Sequence, residues 1–159
     1  MDNYFNYKLV LEKVKLLKSD IKEHSYRVAQ LAYMNALQSK NADIAEYCYY
    51  LALVHDLYED TDIDKYTFTG QFNNDLLLLT RDKNMTYFEY INEIHNKEKV
   101  SNAYIVKIAD LIDHLTRRET LSESLLDRYE KAIKILVPEL EGINLSEGSG
   151  INGTIADNN

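Results

Sequence analysis

The chain has 159 residues and 45% hydrophobic content, enough for one domain with a sizeable core. Its formal net charge of -8 argues against a nucleic-acid polymer or an anionic membrane as partner, although a small nucleotide held through a cation stays possible. Cys48 is the only cysteine, so an internal disulfide is excluded, and its apolar neighbours predict a buried thiol. Without a membrane-length apolar run or a secretion signal, we expect a cytoplasmic protein.

Residues that interrupt regular structure are scarce in this sequence. It contains one proline and five glycines, and four of the glycines follow Glu141. Together with apolar residues at helical spacing, this predicts an all-α bundle of about six or more helices. We expect one domain over residues 1–140, followed by a disordered tail over residues 141–159, where Gly, Ser and Asn dominate.

The helical periodicity divides the chain into seven predicted helices. In chain order they cover about residues 5–17, 19–37, 44–58, 72–79, 86–94, 100–116 and 120–137. Thr86 with Glu89, and Thr120 with Glu123, have the spacing of a capping box at a helix start. The third helix has few polar faces, so we expect it to lie at the centre of the fold.

The most unusual segment, residues 51–61, ends the third predicted helix. An apolar run leads there into His55 and Asp56, then two further residues, then Glu59 and Asp60. In a continuous helix, His55 and Glu59 would share one face, and the two aspartates the next. Because the helix macrodipole disfavours negative charge at a helix C-terminus, a bound cation explains this cluster better than solvent exposure does.

Two more residues of metal-binding type lie in other predicted helices. His24 is in the second helix, where a lone histidine is more often a core or surface residue than a ligand. Asp110 follows an apolar stretch of the sixth helix, where an unpaired carboxylate is costly. With His55 and Asp56 they form a nitrogen and oxygen set suited to Mn, Fe, Zn or similar ions, which would keep positions open for water and substrate.

The order His24, then His55 and Asp56, then Asp110 resembles the H…HD…D pattern of the HD superfamily of metal-dependent phosphohydrolases. The resemblance covers about residues 19–138. It implies a single HD-domain helical bundle in which these four residues bind a divalent metal, usually manganese. It also implies that the substrate is a small phosphorylated nucleotide.

Within the superfamily, residues 55–61 resemble the HDxxEDT signature of RelA/SpoT-type alarmone hydrolases, including small stand-alone members. Residues 107–111 resemble their KLAD stretch. This closer resemblance implies that Glu59 and Asp60 orient and deprotonate the attacking water. It further implies that pyrophosphate is removed from the ribose 3′ position of guanosine tetra- or pentaphosphate in a single step.

The residues around His24 favour a second interpretation. Glu23 before it and Ser25 after it resemble HD-type nucleotidases. His114, next to Asp113, stands where alarmone hydrolases usually carry asparagine. A nucleoside monophosphate phosphatase is therefore an alternative, and a non-catalytic module that binds a nucleotide is a third.

Several side chains are candidates to bind the substrate. His114 lies one helical turn beyond Asp110 and on the same predicted face, so we expect it to line the pocket. The thirteen tyrosines suggest stacking on a base, but a tyrosine at helical spacing is more often a core or interface residue; Tyr58, inside the motif, is the one to test. An oligomer is possible, but the sequence does not locate an interface. The candidate phosphate-binding cations are Lys15, Lys18, Arg27, Lys107 and Arg117.

Overall fold

The computed structural model describes residues 5–38, 41–98 and 100–145, and every regular element in these ranges is helical. The predicted all-α class is therefore confirmed. None of the helices in the described ranges has the length and apolarity needed to cross a membrane. The α-helices are α1 (Tyr7–Lys13), α2 (Ser19–Leu37), α3 (Ala42–Leu53), α4 (Leu57–Asp60), α5 (Gly70–Leu79), α6 (Tyr87–Asn96), α7 (Ala103–Thr116) and α8 (Glu123–Leu136), and 3₁₀ turns cover Val14–Leu16, Arg118–Thr120 and Pro138–Leu140.

Helix α7 connects two apolar clusters that together form the core. The larger cluster joins α1 to α5 with the first half of α7, and the smaller one joins α6 and α8 with its second half. Ala109 belongs to the larger cluster and Leu111 to the smaller one. Asp110, between them in sequence, is itself buried. A carboxylate is thus held inside the fold at the point where α7 passes from one cluster to the other.

Helix α2 packs across both α3 and α7. Its contact face carries the small residues Ala29, Ala32 and Ala36, which are all buried and recur at helical spacing. Short side chains at these positions let the helix axes approach closely. This packing brings His24, near the start of α2, against the polar side chains of α7.

The predicted third helix is interrupted, so the prediction of one continuous helix over about residues 44–58 was wrong. Helix α3 ends at Leu53, and Val54 leaves the helical conformation with φ -121° and ψ 12°. The His55 ring contributes to this break, because its Nδ1 atom lies 2.7 Å from the Ala52 carbonyl oxygen. His55 is consequently buried, whereas Glu59 on α4 is exposed.

One of the two predicted capping boxes is confirmed. The Thr86 hydroxyl accepts from the Glu89 N–H, and the Glu89 carboxylate accepts from the Thr86 N–H. The second prediction was wrong, because α8 begins later and Ser122 is its N-cap, accepting from the Leu125 N–H. The Thr120 hydroxyl instead donates to the carbonyl oxygen three residues before it.

The segment predicted as a C-terminal tail begins with ordered contacts. Leu145 is buried in the smaller apolar cluster, and its carbonyl oxygen accepts from the Arg118 guanidinium at 2.6 Å. Leu145 therefore packs against the domain, whereas residues 141–144 before it are exposed. The remaining part of the predicted tail, residues 146–159, lies outside the described residues.

Candidate metal centre

Four predicted metal ligands from distant parts of the chain lie together. One ligand atom from each of His24, His55 and Asp110 lies within 4.8 Å of the other two. Both histidines approach the same Asp110 oxygen, with His24 Nε2 at 3.1 Å and His55 Nε2 at 3.7 Å. Asp56 adds an oxygen 3.2 Å from His55 Nε2 and 3.9 Å from His24 Nε2. His24, His55 and Asp110 thus surround one common point, and Asp56 lies beside it.

The hydrogen bond of His55 shows which of its ring nitrogens is free to bind a metal. Its Nδ1 atom faces the Ala52 carbonyl, which can only accept, so Nδ1 is the donor. In the neutral ring, Nε2 then carries a lone pair, and this buried atom makes no hydrogen bond within the described part of the chain. A lone pair directed at the oxygens of Asp56 and Asp110 is repulsive unless a cation or proton lies between them. This donor set therefore fits a metal ion.

The ring of His24 also has Nδ1 as its hydrogen-bond donor, but the acceptor is a side chain instead of a backbone carbonyl. Its Nδ1 atom lies 2.8 Å from Asp113 Oδ2, so an ionised Asp113 leaves the Nε2 lone pair facing Asp110. Burial alone would raise the pKa of Asp113, but hydrogen bonds from His24 and Arg27 outweigh burial and lower that pKa to about 2. Asp113 is consequently ionised at neutral pH and can only accept hydrogen bonds.

When no metal is bound, the nearby carboxylates stabilise the protonated form of both imidazoles. Burial alone would lower the pKa of His24, but Asp110, Asp113 and the Asp56 charge outweigh burial and raise that pKa to about 9. Burial would likewise lower the pKa of His55, yet Asp56 and Asp110 raise it above its usual value. The cluster therefore favours positive charge at its centre, whether this comes from protons or from a metal.

Lys107 keeps Asp110 ionised. Burial alone would raise the pKa of Asp110, but the Lys107 ammonium, with Nζ at 2.7 Å from Oδ2, and the hydrogen-bonded imidazoles hold it well below its usual range. The Lys107 Nζ also lies 5.4 Å from the centroid of the Tyr90 ring and 5.9 Å from that of Tyr87. Its charge is therefore directed into the protein, and the phosphate-binding role predicted for Lys107 is not supported by its position.

The predicted acidic pair on α4 lies at the surface near the metal ligands. Glu59 Oε1 accepts from the backbone N–H of Arg81 at 2.8 Å, which ties it to the connection between α5 and α6. The pKa of Asp60 is raised, first by partial burial and then by the negative charge of Asp56. Asp60 is thus within electrostatic range of a ligand. The catalytic roles of both residues stay predictions.

His114 lies against the metal-ligand cluster. Its Nε2 atom is 3.3 Å from Asp110 Oδ1, and its ring centroid is 4.7 Å from that of His24. On its other side it stacks on Tyr129 of α8, with centroids 4.8 Å apart. Sequence reasoning missed Tyr129, because a tyrosine at helical spacing gives no sign of which partner it meets.

Three of the predicted phosphate-binding cations have different surroundings. The Arg27 guanidinium donates to both oxygens of Asp113, from Nε at 2.8 Å and from Nη2 at 3.0 Å. Lys18, the N-cap of α2, is exposed, and its charge acts to lower the pKa of Asp60. Arg117, the C-cap of α7, is exposed. Lys18 is therefore the predicted cation with a direct electrostatic connection to the acidic pair.

Tyr58, the tyrosine named as the test of base stacking, packs inside the protein. Its side chain is buried, and its hydroxyl donates to Asn73 Oδ1 at 2.6 Å. The ring also lies near that of Phe68, with centroids 6.5 Å apart. Tyr58 is therefore a core residue, the commoner outcome for a tyrosine at helical spacing, and its ring is not exposed to a bound base.

A cavity of about 690 Å³ lies away from the metal centre, between α5, α6 and the turn before α7. None of the four predicted metal ligands lines it. Its wall includes the buried Asp75, whose carboxylate accepts from Tyr47, Gln71 and Ser101. These neutral donors satisfy the carboxylate and connect α3 and α5 to the turn, so Asp75 has a structural explanation.

Comparison with known families gives one match. Residues 12–134 match a family model described as the HD domain. The matched range extends from α1 into α8 and includes all four predicted metal ligands. No curated protein matches the chain.

Proposed function

This chain belongs to the HD-domain family, and we propose that it is a metal-dependent phosphohydrolase acting on a small phosphorylated nucleotide. The observation that carries the proposal is the pair of buried imidazoles, His24 and His55. Each ring has its Nδ1 bound to an acceptor and its Nε2 directed at carboxylate oxygens. Such an arrangement is stable around a divalent cation and repulsive without positive charge.

The residues that would hold the metal are His24, His55, Asp56 and Asp110. When bound, the metal supplies Lewis acidity and a positive charge for the substrate phosphate. Lys107 keeps the Asp110 carboxylate ionised, so that it can act as a ligand at neutral pH.

We propose Asp60 as the group that accepts a proton from the attacking water. Its raised pKa makes it a stronger base than an ordinary surface aspartate. Glu59, held by the Arg81 N–H, would orient that water. A direct attack by water needs no nucleophilic side chain. Cys48 is buried, so its thiol is not accessible to act as such a nucleophile.

For the substrate, we propose guanosine tetra- or pentaphosphate, cleaved to release pyrophosphate. The support is the order His55, Asp56, Glu59 and Asp60, which resembles the alarmone hydrolases. The stacked rings of His114 and Tyr129 beside the metal-binding residues would offer an aromatic surface to a base.

A nucleoside monophosphate is the alternative substrate, and one structural observation favours it. Two cations predicted to bind phosphate are instead paired with protein carboxylates, Arg27 with Asp113 and Lys107 with Asp110. Less positive charge is therefore available for a polyphosphate. This balance suits a substrate with a single phosphate group.

Product analysis separates these substrates. Chelator-treated protein is reloaded with Mn²⁺ and incubated with guanosine tetraphosphate, guanosine pentaphosphate and a panel of nucleoside monophosphates. Release of pyrophosphate from the first two supports the alarmone proposal, and orthophosphate from the monophosphates supports the alternative. Asp110→Asn should abolish turnover, while Asp127→Asn, an exposed carboxylate on α8, should not.

Failure of the hydrolase proposal would also be clear. If the metal-loaded protein hydrolyses none of these nucleotides with Mn²⁺, Mg²⁺, Zn²⁺ or Fe²⁺, yet binds one of them, the chain is a binding module. If it binds no divalent metal, both the metal centre and the proposed activity are rejected.

A further inference from the structure

A chain of hydrogen bonds leads from the surface of α2 to the metal centre. Arg27 donates to Asp113 through two nitrogens, and Asp113 accepts from Nδ1 of His24, with all three distances between 2.8 and 3.0 Å. We infer that Arg27 and Asp113 are positioning residues that hold the His24 imidazole ready to bind the metal through Nε2. This inference rests on the proposed metal centre but not on the identity of the nucleotide.

The geometry of Asp113 supports this role in particular. Its Oδ2 accepts from both His24 and Arg27, while its Oδ1 accepts a second bond from Arg27. The carboxylate is buried and comes from α7, whereas its two donors come from α2. A two-pronged guanidinium contact fixes the plane of the carboxylate, and the carboxylate then fixes the direction of the ring N–H.

The protonation site of the ring explains why such a contact matters. A neutral histidine can carry its proton on either nitrogen, and a proton on Nε2 would block metal binding. For His55, the Ala52 carbonyl selects the productive form from the backbone. For His24, the side chain of Asp113 performs the same task. Carboxylate partners of this kind commonly raise the basicity and fix the orientation of metal-binding histidines.

The assignment also changes the expected role of Arg27. Both nitrogens that face Asp113 are engaged, and the side chain is 35% exposed. A phosphate-binding residue would affect substrate affinity first. A positioning residue would affect metal affinity first, even with no substrate present.

A simpler explanation is that Arg27 and Asp113 form an ion pair that only joins α2 to α7. This explanation predicts a change in stability without a change in metal affinity among the molecules that remain folded. The two explanations therefore differ in a quantity that can be measured on the protein without substrate.

The test is the dissociation constant of Mn²⁺ for the chelator-treated full-length protein, measured by calorimetry or by the electron paramagnetic resonance signal of free Mn²⁺. We expect Asp113→Asn to weaken Mn²⁺ binding roughly 10–100-fold. Arg27→Gln should weaken it less, because Asp113 stays in place. Asp127→Asn removes the same charge from an exposed position on α8 and should leave the constant unchanged.

A second readout follows the ring itself. In Zn²⁺-loaded protein with ¹⁵N-labelled histidine, the Nδ1 proton of His24 should be observed in a strong hydrogen bond. Asp113→Asn should shift this signal upfield or broaden it by solvent exchange, whereas the Nδ1 proton of His55, held by the backbone, should keep its shift. The same spectrum thus contains an internal control.

An Asp113→Asn protein that folds, binds Mn²⁺ within twofold of the wild type and keeps the His24 signal would overturn the inference. If Asp113→Asn does not fold, Arg27→Lys decides, because it keeps the charge and loses the two-pronged contact. In that case unchanged Mn²⁺ affinity and an unchanged His24 signal reject the positioning role. Weaker Mn²⁺ binding in a protein that hydrolyses no nucleotide would support the inference while rejecting the proposed activity.

Discussion

The Lys107 ammonium lies 2.7 Å from Oδ2 of Asp110, while Oδ1 of the same carboxylate faces the imidazoles of His24, His55 and His114. One oxygen is therefore neutralised from inside the protein, and the other is available at the metal centre. The lysine comes from the same helix, one turn before the aspartate. The α7 sequence thus supplies both a predicted metal ligand, Asp110, and the charge that keeps it ionised.

Replacing Lys107 should reveal this dependence in the stability of the metal-free protein. Lys107→Met leaves a buried carboxylate without its cation, and we expect the free energy of unfolding to fall by about 3 kcal/mol. Urea unfolding with and without Mn²⁺ measures the effect. Bound metal should reduce the loss. Lys131→Met, which removes an exposed partner of Asp127, should change stability by less than about 0.5 kcal/mol. Equal losses in both variants would contradict the assignment.

The metal-free protein should become less stable as the pH rises. The pKa of His24 is raised to about 9 in the folded state, although burial alone would lower it, because Asp110 and Asp113 stabilise the protonated ring. Its contribution is fully present below the unfolded value of about 6.5 and is lost as the pH rises toward 9. The loss should reach about 3 kcal/mol at most. Unfolding curves between pH 6 and 9.5 measure it, and His24→Gln should flatten the trend.

Cys48 should be unreactive in the native protein. The thiol is fully buried on α3, and burial together with the nearby Asp75 charge raises its pKa to about 12. At pH 8 we expect no reaction with a disulfide reagent such as dithionitrobenzoate over minutes, and one thiol per chain after denaturation in guanidinium. Rapid labelling of the folded protein would show that α3 opens locally or is packed differently.

The predicted metal ligands stand out in the sequence because of where they occur. His55 and Asp110 interrupt apolar runs, and a buried polar side chain needs a partner. Their positions in the chain then defined a pattern with His24 and Asp56. The structure adds that His24, His55 and Asp110 meet at one point, with Asp56 beside them.

Other features of the site could not be predicted, because they depend on tertiary packing. Arg27 and Asp113 are 86 residues apart, and only the contact of α2 with α7 makes them partners. The end of α3 at Leu53 was also missed, since the apolar periodicity continues beyond it. At that break the His55 ring bonds to the Ala52 carbonyl, and after it the Tyr58 hydroxyl bonds to Asn73 inside the protein.

The role of Asp60 can be separated from metal binding. Asp60→Asn removes the proposed proton acceptor without removing a metal ligand, so kcat should fall roughly 10²–10⁴-fold while the Mn²⁺ dissociation constant changes little. Steady-state kinetics on whichever nucleotide the panel identifies, together with Mn²⁺ titration, give both values. Asp62→Asn is a matched control, because it removes the same charge from an exposed position two residues away. If Asp60→Asn retains wild-type kcat, another group must accept the proton. If it loses Mn²⁺ instead, Asp60 belongs among the metal ligands.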